Sequence, residues 1–376
     1  MKRETIEVDA AMIDAARRVL PVFDGGRVTA LRELLGLTQR DVAAKVGVTP
    51  SALSQTENKE TRPSAKNLAR LAALFEVSAV ALAEQPEREI ALQPQFRHLR
   101  RTPKREQRRA AQLVNATVRV AETLRSDVGF PKPFSLSVPV DPDAPIQEVA
   151  DAVEQAAATT RDALGIPALE PLGESVVGSL EAGGITIVRD SETDKNIDAY
   201  SAIVGGLPVI VLDGGAESVW DRDNFNLAHE LGHLVMHQGI EHTPGTKSVE
   251  AQAHRFAGAF LGPAPALQVE LPDNLDWQRY LQLKRRWGLS IAALVHRAKD
   301  LKVIDDTVYT KAMKQRSAHG WRRLEPGSTD RSLPQPTYLA SAAALAELSP
   351  AALGHRAHVP EHVVERIVGR TRPSLI

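Results

Sequence analysis

Phe225-Asn226-Leu227-Ala228-His229-Glu230-Leu231-Gly232-His233-Leu234-Val235-Met236-His237 is the stretch from which the rest of this 376-residue chain can be placed. His229 and His233 are four residues apart. At helical pitch they stand on one face, one turn from each other, where two imidazoles reach a single metal ion. Glu230 lies beside them and can take a proton from a water held there. Leu227, Leu231, Leu234 and Val235 give the same helix an apolar face to bury, so a packed core would hold the ligands. Gly232 lets a neighbouring element come close between the two histidines. A plainer reading stands beside this one: a buried helix whose histidines bond to backbone carbonyls.

Glu250 is the candidate third ligand. It opens Val249-Glu250-Ala251-Gln252-Ala253-His254-Arg255-Phe256-Ala257-Gly258-Ala259-Phe260-Leu261, a second amphipathic run that stops at Gly262-Pro263. Two helices joined by the loop from Gly239 to Thr246 can pack antiparallel and carry Glu250 to the histidines. Two His and one Glu with a fourth position left to water is a hydrolytic zinc arrangement. Taken alone, Glu250 also reads as a helix-start carboxylate favoured by the helix dipole. His237 extends the histidine stripe by another turn. Three residues spread over two turns do not all converge on one ion, so it is placed at the surface or behind a ligand.

These paired motifs resemble the ImmA/IrrE family of zinc metallopeptidases, over about Pro145 to Glu325. The resemblance implies a zincin-like α+β domain, Zn2+ as cofactor, His229, His233 and Glu250 as its ligands and Glu230 as the catalytic base. It also implies a protein substrate. The chain departs from the family at His254, where asparagine is common. Four residues after Glu250, His254 faces the same way, as a partner of the ligands or as an alternative ligand.

The second informative stretch is Arg27 to Glu84. Leu31, Leu34 and Leu35 mark a helix stopped at Gly36. Thr38 caps a helix over Gln39–Val46 that ends on Gly47, and Thr49 caps one over Pro50–Glu57 with proline at its first position. Ser64 caps a fourth through Phe75, and Ser78 a fifth through Ala83. Helix, tight glycine turn, helix is the helix-turn-helix geometry. The run Gly36-Leu37-Thr38-Gln39-Arg40 through Thr61-Arg62-Pro63-Ser64 resembles the Cro/repressor-like (XRE) DNA-binding family. That resemblance implies a five-helix, lambda-repressor-like fold with the Thr49 helix in the major groove of double-stranded DNA. Thr49, Ser51, Ala52, Ser54 and Gln55 are its expected solvent-facing residues. Gln55 suits adenine, and the methyls of Thr49 and Ala52 suit thymine. Gln39 is expected at a phosphate, with Arg40, Lys59 and Arg62 as further phosphate contacts. Two half-sites per operator imply a homodimer.

The expected order is therefore a multidomain, mainly α chain with one small α+β domain. An N-terminal arm or helix covers 1–26, broken by Gly25-Gly26, and the DNA-binding domain covers 27–85. A basic helical linker covers 86–144. Its cations Arg97, Arg100, Arg101, Lys104, Arg105, Arg108 and Arg109 read either as a phosphate clamp or as a solvated helix. Pro131, Pro133, Pro139, Pro142 and Pro145 mark its end. The peptidase-like domain covers 145–325. It begins with helices over Ile146–Leu164 and Gly173–Ala182. Strands follow at 185–188, 199–204 and 209–212, the last two joined through Gly205-Gly206 as a hairpin. Helices near 276–287, 290–301 and 305–317 close it. A helical appendage covers 326–376, with a polar linker to 336 and helices at 339–353 and 359–368.

Composition limits the function classes. Hydrophobic residues make up 43% and charged residues 25%, as in soluble globular chains. There are no cysteines, which removes disulfides, thiolate zinc sites and cysteine nucleophiles. No apolar run reaches the ~20 residues of a membrane helix. The charged start, Met1 to Asp9, has no signal-peptide core, which points to the cytoplasm and away from a membrane. The combined expectation is a DNA-binding regulator whose zinc peptidase domain cleaves a repressor or partner on a signal. Two alternatives stay open: a non-catalytic sensor or dimerisation module in place of the peptidase, and an antitoxin-type autorepressor.

Overall fold

The computed structural model describes residues 5–83, 102–141, 143–173, 176–192, 197–215, 217–238 and 247–369. It is mostly helical and divides into two compact units. Of the described residues, one takes in 5–83, 102–130 and 337–369. The other takes in those between Pro131 and Pro336.

The first unit is built from capped helices. Asp9 caps α1 (Ala10–Val19), its carboxylate accepting from the Met12 amide at 2.8 Å. Asp24 caps α2 (Gly25–Leu34) by accepting from Gly26 N–H at 2.9 Å. The glycine pair expected to break the chain therefore opens a helix. A Cβ on Gly25 would stand 1.9 Å from the Thr56 carbonyl oxygen, so only glycine permits this approach. Thr38 and Asp41 form a capping box on α3 (Gln39–Val46), which ends on Gly47 at φ 83. Thr49 caps α4 (Pro50–Glu57), and Ser64 caps α5 (Ala65–Leu74). Ala79–Leu82 is a single 3-10 stretch and not the α-helix expected there; Ser78 makes no capping bond. α6 (Lys104–Arg125) buries Ala110, Leu113, Val114, Thr117, Ala121 and Leu124 at helical spacing and packs against α2.

The second unit carries α7 (Ile146–Ala163), α8 (Val176–Ala182) and a three-stranded sheet. Its strands are β1 (Thr186–Asp190), β2 (Ala199–Val204) and β3 (Leu207–Asp213), in the order β1-β3-β2. β3 runs parallel to β1 and antiparallel to β2. Gly205 and Gly206 turn the hairpin at φ 57 and 78, the two left-handed residues of a tight primed turn. α9 (Trp220–Met236) packs on β2, β3 and α10 (Lys247–Leu261). α11 (Ala264–Glu270), absent from the sequence reading, follows Pro263. α12 (Trp277–Trp287), α13 (Ile291–Asp300) and α14 (Asp306–Ala318) complete the unit. Leu227, Leu231 and Val235 of α9 meet Phe256 and Phe260 of α10 in one core with Ile210 and Leu212. Each such buried side chain contributes about 1.5–3 kcal/mol, so the α9–α10 pair is a rigid platform.

Two segments expected to be linkers are part of this unit. The proline-rich stretch is extended and pinned: Phe134 N–H donates to Gly184 O at 3.3 Å, Val138 N–H to Val235 O at 2.9 Å, and Val140 is buried. Gly327 and Ser328 are likewise held, Gly327 O accepting from Trp220 Nε1 at 2.9 Å and buried Ser328 meeting Lys284 Nζ at 2.6 Å. The C-terminal helices instead belong to the first unit. The helix expected over 339–353 is two, α15 (Tyr338–Leu345) and α16 (Pro350–Ala357), because Glu347 is left-handed and Ser349-Pro350 starts a new helix. With α17 (Glu361–Val368) they pack on α6.

Candidate functional site

α9 is aimed by side chains at its own start. Asn224 Nδ2 donates to Gly173 O at 3.1 Å and to Gly288 O at 3.4 Å, and Asp223 pairs with Arg189 at 2.6 Å. Two turns on, glycine at 232 admits α10: a Cβ there would meet the Phe256 ring at 2.9 Å. This close approach is what brings Glu250, near the start of α10, to the histidines of α9.

The three groups converge. His229 Nε2 and His233 Nε2 are 3.2 Å apart, Glu250 Oε2 is 3.6 Å from His229 Nε2, and Glu250 Oε1 is 3.9 Å from His233 Nε2. All three ligand atoms lie within 4.8 Å of one another, and among the described residues this is the one such group of three or more. A tetrahedral ion with bonds of 2.0–2.1 Å has edges of about 3.3 Å, so the set fits zinc with small closure. The chemistry fits as well. Glu250 Oε1 is buried with no hydrogen-bond partner among the described residues, a cost that a cation would remove. His233, 3% exposed, has its pKa held well below the ordinary value by burial and then by His229 and His237. It is neutral, as a ligand must be.

Glu230 sits behind the pair, 7% exposed. Ser201 Oγ, from the middle of β2, donates to its Oε2 at 2.6 Å. Burial raises the Glu230 pKa, while His229 and the Ser201 bond pull it down and Glu250 adds to the rise. A carboxylate with a raised pKa is the better base. Ser201 is not among the residues that motif and spacing single out; its signal is one small polar residue in a strand otherwise made of aliphatic and aromatic residues.

The remaining histidines separate. His254 is not in the converging group. Its ring stands 4.7 Å from Phe225, 6.3 Å from His229 and 5.7 Å from His296. Desolvation by its surroundings, then His229 and His296, push its pKa down to about 4, although its open side lets water temper the effect. His296 Nδ1 lies 3.2 Å from Asp300 Oδ2. His237 is not at the surface: it is 2% exposed, with Nδ1 2.9 Å from His233 Nδ1. A groove of about 740 Å³ opens over the site, with Ile146, Ile197, Ala199 and Phe225 among its walls. Ala199 begins β2, one of the two edge strands of the sheet.

The helix-turn-helix surface is equally legible. Thr49, Ser51 and Gln55 are exposed on α4, as are Arg40, Lys59 and Arg62 around it, whereas Ala52 and Ser54 are half-buried against the bundle. Lys59 Nζ pairs with Asp24 at 3.1 Å. Gln39 departs from expectation: its Nε2 donates to Glu57 Oε2 at 2.7 Å, so its amide is engaged inside the fold. Arg32 holds the same carboxylate through Nε at 2.6 Å and NH2 at 3.0 Å. Of the basic run, Arg97, Arg100 and Arg101 lie outside the described residues. Arg108 pairs with Glu33 at 3.3 Å, Arg105 donates to Gly36 O, and Arg109 is buried, which draws α6 onto α2.

Comparison with known families agrees with both halves. Residues 28–82 match the family model described as helix-turn-helix, and residues 180–299 match the one described as the IrrE N-terminal-like domain, Peptidase M78. No curated protein matches the chain. The chain thus joins an XRE-type helix-turn-helix segment to an ImmA/IrrE-like segment, the architecture of a DNA-binding regulator with a peptidase-like domain. No helix among the described residues is long and apolar enough to cross a membrane.

Proposed function

We infer that this chain is a cytoplasmic, homodimeric transcriptional regulator whose second unit is a zinc-dependent endopeptidase acting on a regulatory protein, a repressor or partner, on a signal. The observation that carries this reading is the meeting of His229, His233 and Glu250, with one Glu250 oxygen buried and without a hydrogen bond among the described residues. Those three residues would hold the ion. Zinc bound there supplies Lewis acidity toward a scissile carbonyl and acidifies water. Glu230 takes the proton of the attacking water and returns it to the leaving amine, with Ser201 holding its other oxygen. The groove and the β2 edge beside it suit an extended peptide laid along the strand. Gln55, Thr49 and Ser51 would face base edges while Arg40, Lys59 and Arg62 meet phosphates.

The test is Glu230→Gln. Metal analysis should find zinc retained at the wild-type level, and cleavage of the neighbouring regulator should vanish. Cleavage that continues unchanged removes Glu230 from the reaction. Absence of zinc from the wild-type protein removes the metal centre.

A further inference from the structure

Behind His233 runs a chain of hydrogen bonds. His233 Nδ1 lies 2.9 Å from His237 Nδ1, His237 Nε2 lies 2.8 Å from Gln252 Oε1, and Gln252 Nε2 donates to Asp141 O at 3.2 Å. His237 and Gln252 are each 2% exposed, so the middle of the line is closed to bulk water, and only its far end, at Asp141, lies in an exposed residue. Each neutral imidazole has one N–H and one bare nitrogen. The direction of the line follows from its far end. Asp141 O is a carbonyl and can only accept, so the Gln252 amide must turn its NH2 to it and its oxygen to His237. Gln252 Oε1 can only accept, so His237 carries its proton on Nε2. The bare His237 Nδ1 then accepts from His233 Nδ1–H. This leaves the His233 Nε2 lone pair pointing at His229 and Glu250.

We propose that His237 and Gln252 are positioning residues that hold His233 as its Nδ1–H tautomer, with Nε2 ready to bind a cation, and that the extended segment ending at Asp141 anchors this line. Free histidine side chains prefer the opposite, Nε2–H tautomer, which would put a proton where the ion must sit. Partners of this kind, beyond a ligating histidine, are generally worth 10–100-fold in metal affinity. The proposal also accounts for a buried imidazole and a buried amide on the α9–α10 interface, where apolar packing would otherwise be favoured. It rests on the zinc reading of the site for its purpose, but the tautomer itself is a property of the metal-free chain.

The experiment uses the full chain, stripped of metal and labelled with 15N-histidine. Long-range 15N–1H correlation, with His233 assigned by its loss in His233→Gln, reads the tautomer directly. The expected result is a pyrrole-like Nδ1 and a pyridine-like Nε2. In Gln252→Met and in His237→Phe, His233 should move toward the Nε2–H form, and zinc affinity, measured by competition with a chromophoric chelator, should fall about 10–100-fold. Gln252→Glu keeps an acceptor facing His237 and should keep the wild-type tautomer, which a purely packing role would not produce. An Nε2–H His233 in the wild-type chain, or a tautomer unmoved by both Gln252→Met and His237→Phe, overturns the proposal. A wild-type chain with the expected tautomer that takes up no zinc overturns the metal-centre reading and leaves the relay supported.

Discussion

Ser201 Oγ donates to Glu230 Oε2 at 2.6 Å, across 29 residues of sequence and from strand to helix. One carboxylate oxygen is thereby fixed against β2, and the other is left to the groove. A hydrogen bond to a charged group is worth about 1.5–3 kcal/mol. Ser201→Ala should therefore lower turnover roughly tenfold to a hundredfold without changing zinc content, since no ligand touches Ser201. Steady-state cleavage rates set beside metal analysis check this. A loss of zinc in Ser201→Ala would show that the serine supports the fold of the site and not the base.

Removing the ion should destabilise the second unit. Without a cation, the buried Glu250 oxygen and the facing His229 and His233 nitrogens lose the charge that reconciles them. An ion present at a hundred times its dissociation constant stabilises the folded form by about 2.7 kcal/mol. Chelation should lower the melting temperature of this unit, zinc should restore it, and Glu250→Ala should melt at the same temperature with zinc as with a chelator. Calorimetry with and without a chelator decides the matter; a melt indifferent to zinc would reject the site.

Local signals were the readable ones. Thr38, Thr49, Ser64 and Ser290 cap helices as their types suggest, and Gly47 and Gly288 end them left-handed. The meeting of His229, His233 and Glu250 is readable because two of the three stand one helical turn apart. What hid were contacts made by folding: Ser201 to Glu230, and Gln252 to Asp141 across 111 residues. The segment before α7 is instructive. Phe134, Leu136, Val138 and Val140 alternate inward, the period of an extended chain lying on a core, but the interleaved prolines read as a linker. The pairing of the C-terminal helices with α6 left no trace in their own sequence.

In the DNA-binding half, two neighbouring residues of α4 should respond differently. Glu57 is buried and holds both Arg32 and Gln39, tying α2, α3 and α4 together. Removing one partner of such a buried pair costs about 3–5 kcal/mol, so Glu57→Ala should lower the melting temperature and abolish DNA binding with it. Gln55 is exposed and carries no such duty. Gln55→Ala should leave melting unchanged and weaken binding to a site selected from random DNA by about 1–3 kcal/mol, with the loss confined to one base position. Equal binding by wild type and Gln55→Ala at every position would take Gln55 out of base reading.

The capping box on α3 predicts an acid limb with a definite sign. Thr38 Oγ1 donates to Asp41 Oδ2 at 2.5 Å and Thr38 N–H donates to the same oxygen at 2.9 Å. Those two bonds, the hydroxyl first, pull the Asp41 pKa below its ordinary value of 3.8. A carboxyl whose pKa is lower folded than unfolded contributes stability that is complete above the unfolded value and is lost as pH falls through the folded one. Asp41→Ala removes that contribution at every pH. The gap in melting temperature between wild type and Asp41→Ala should therefore be full from neutral pH down to about 5 and should narrow below the ordinary value of 3.8. The Thr38 cap on the Asp41 amide, 3.1 Å long, is independent of that charge and should keep α3 folded throughout. Melting curves of both chains across this range measure the gap. A gap that widens in acid would mean that Asp41 is strained by its neighbours and not stabilised by them.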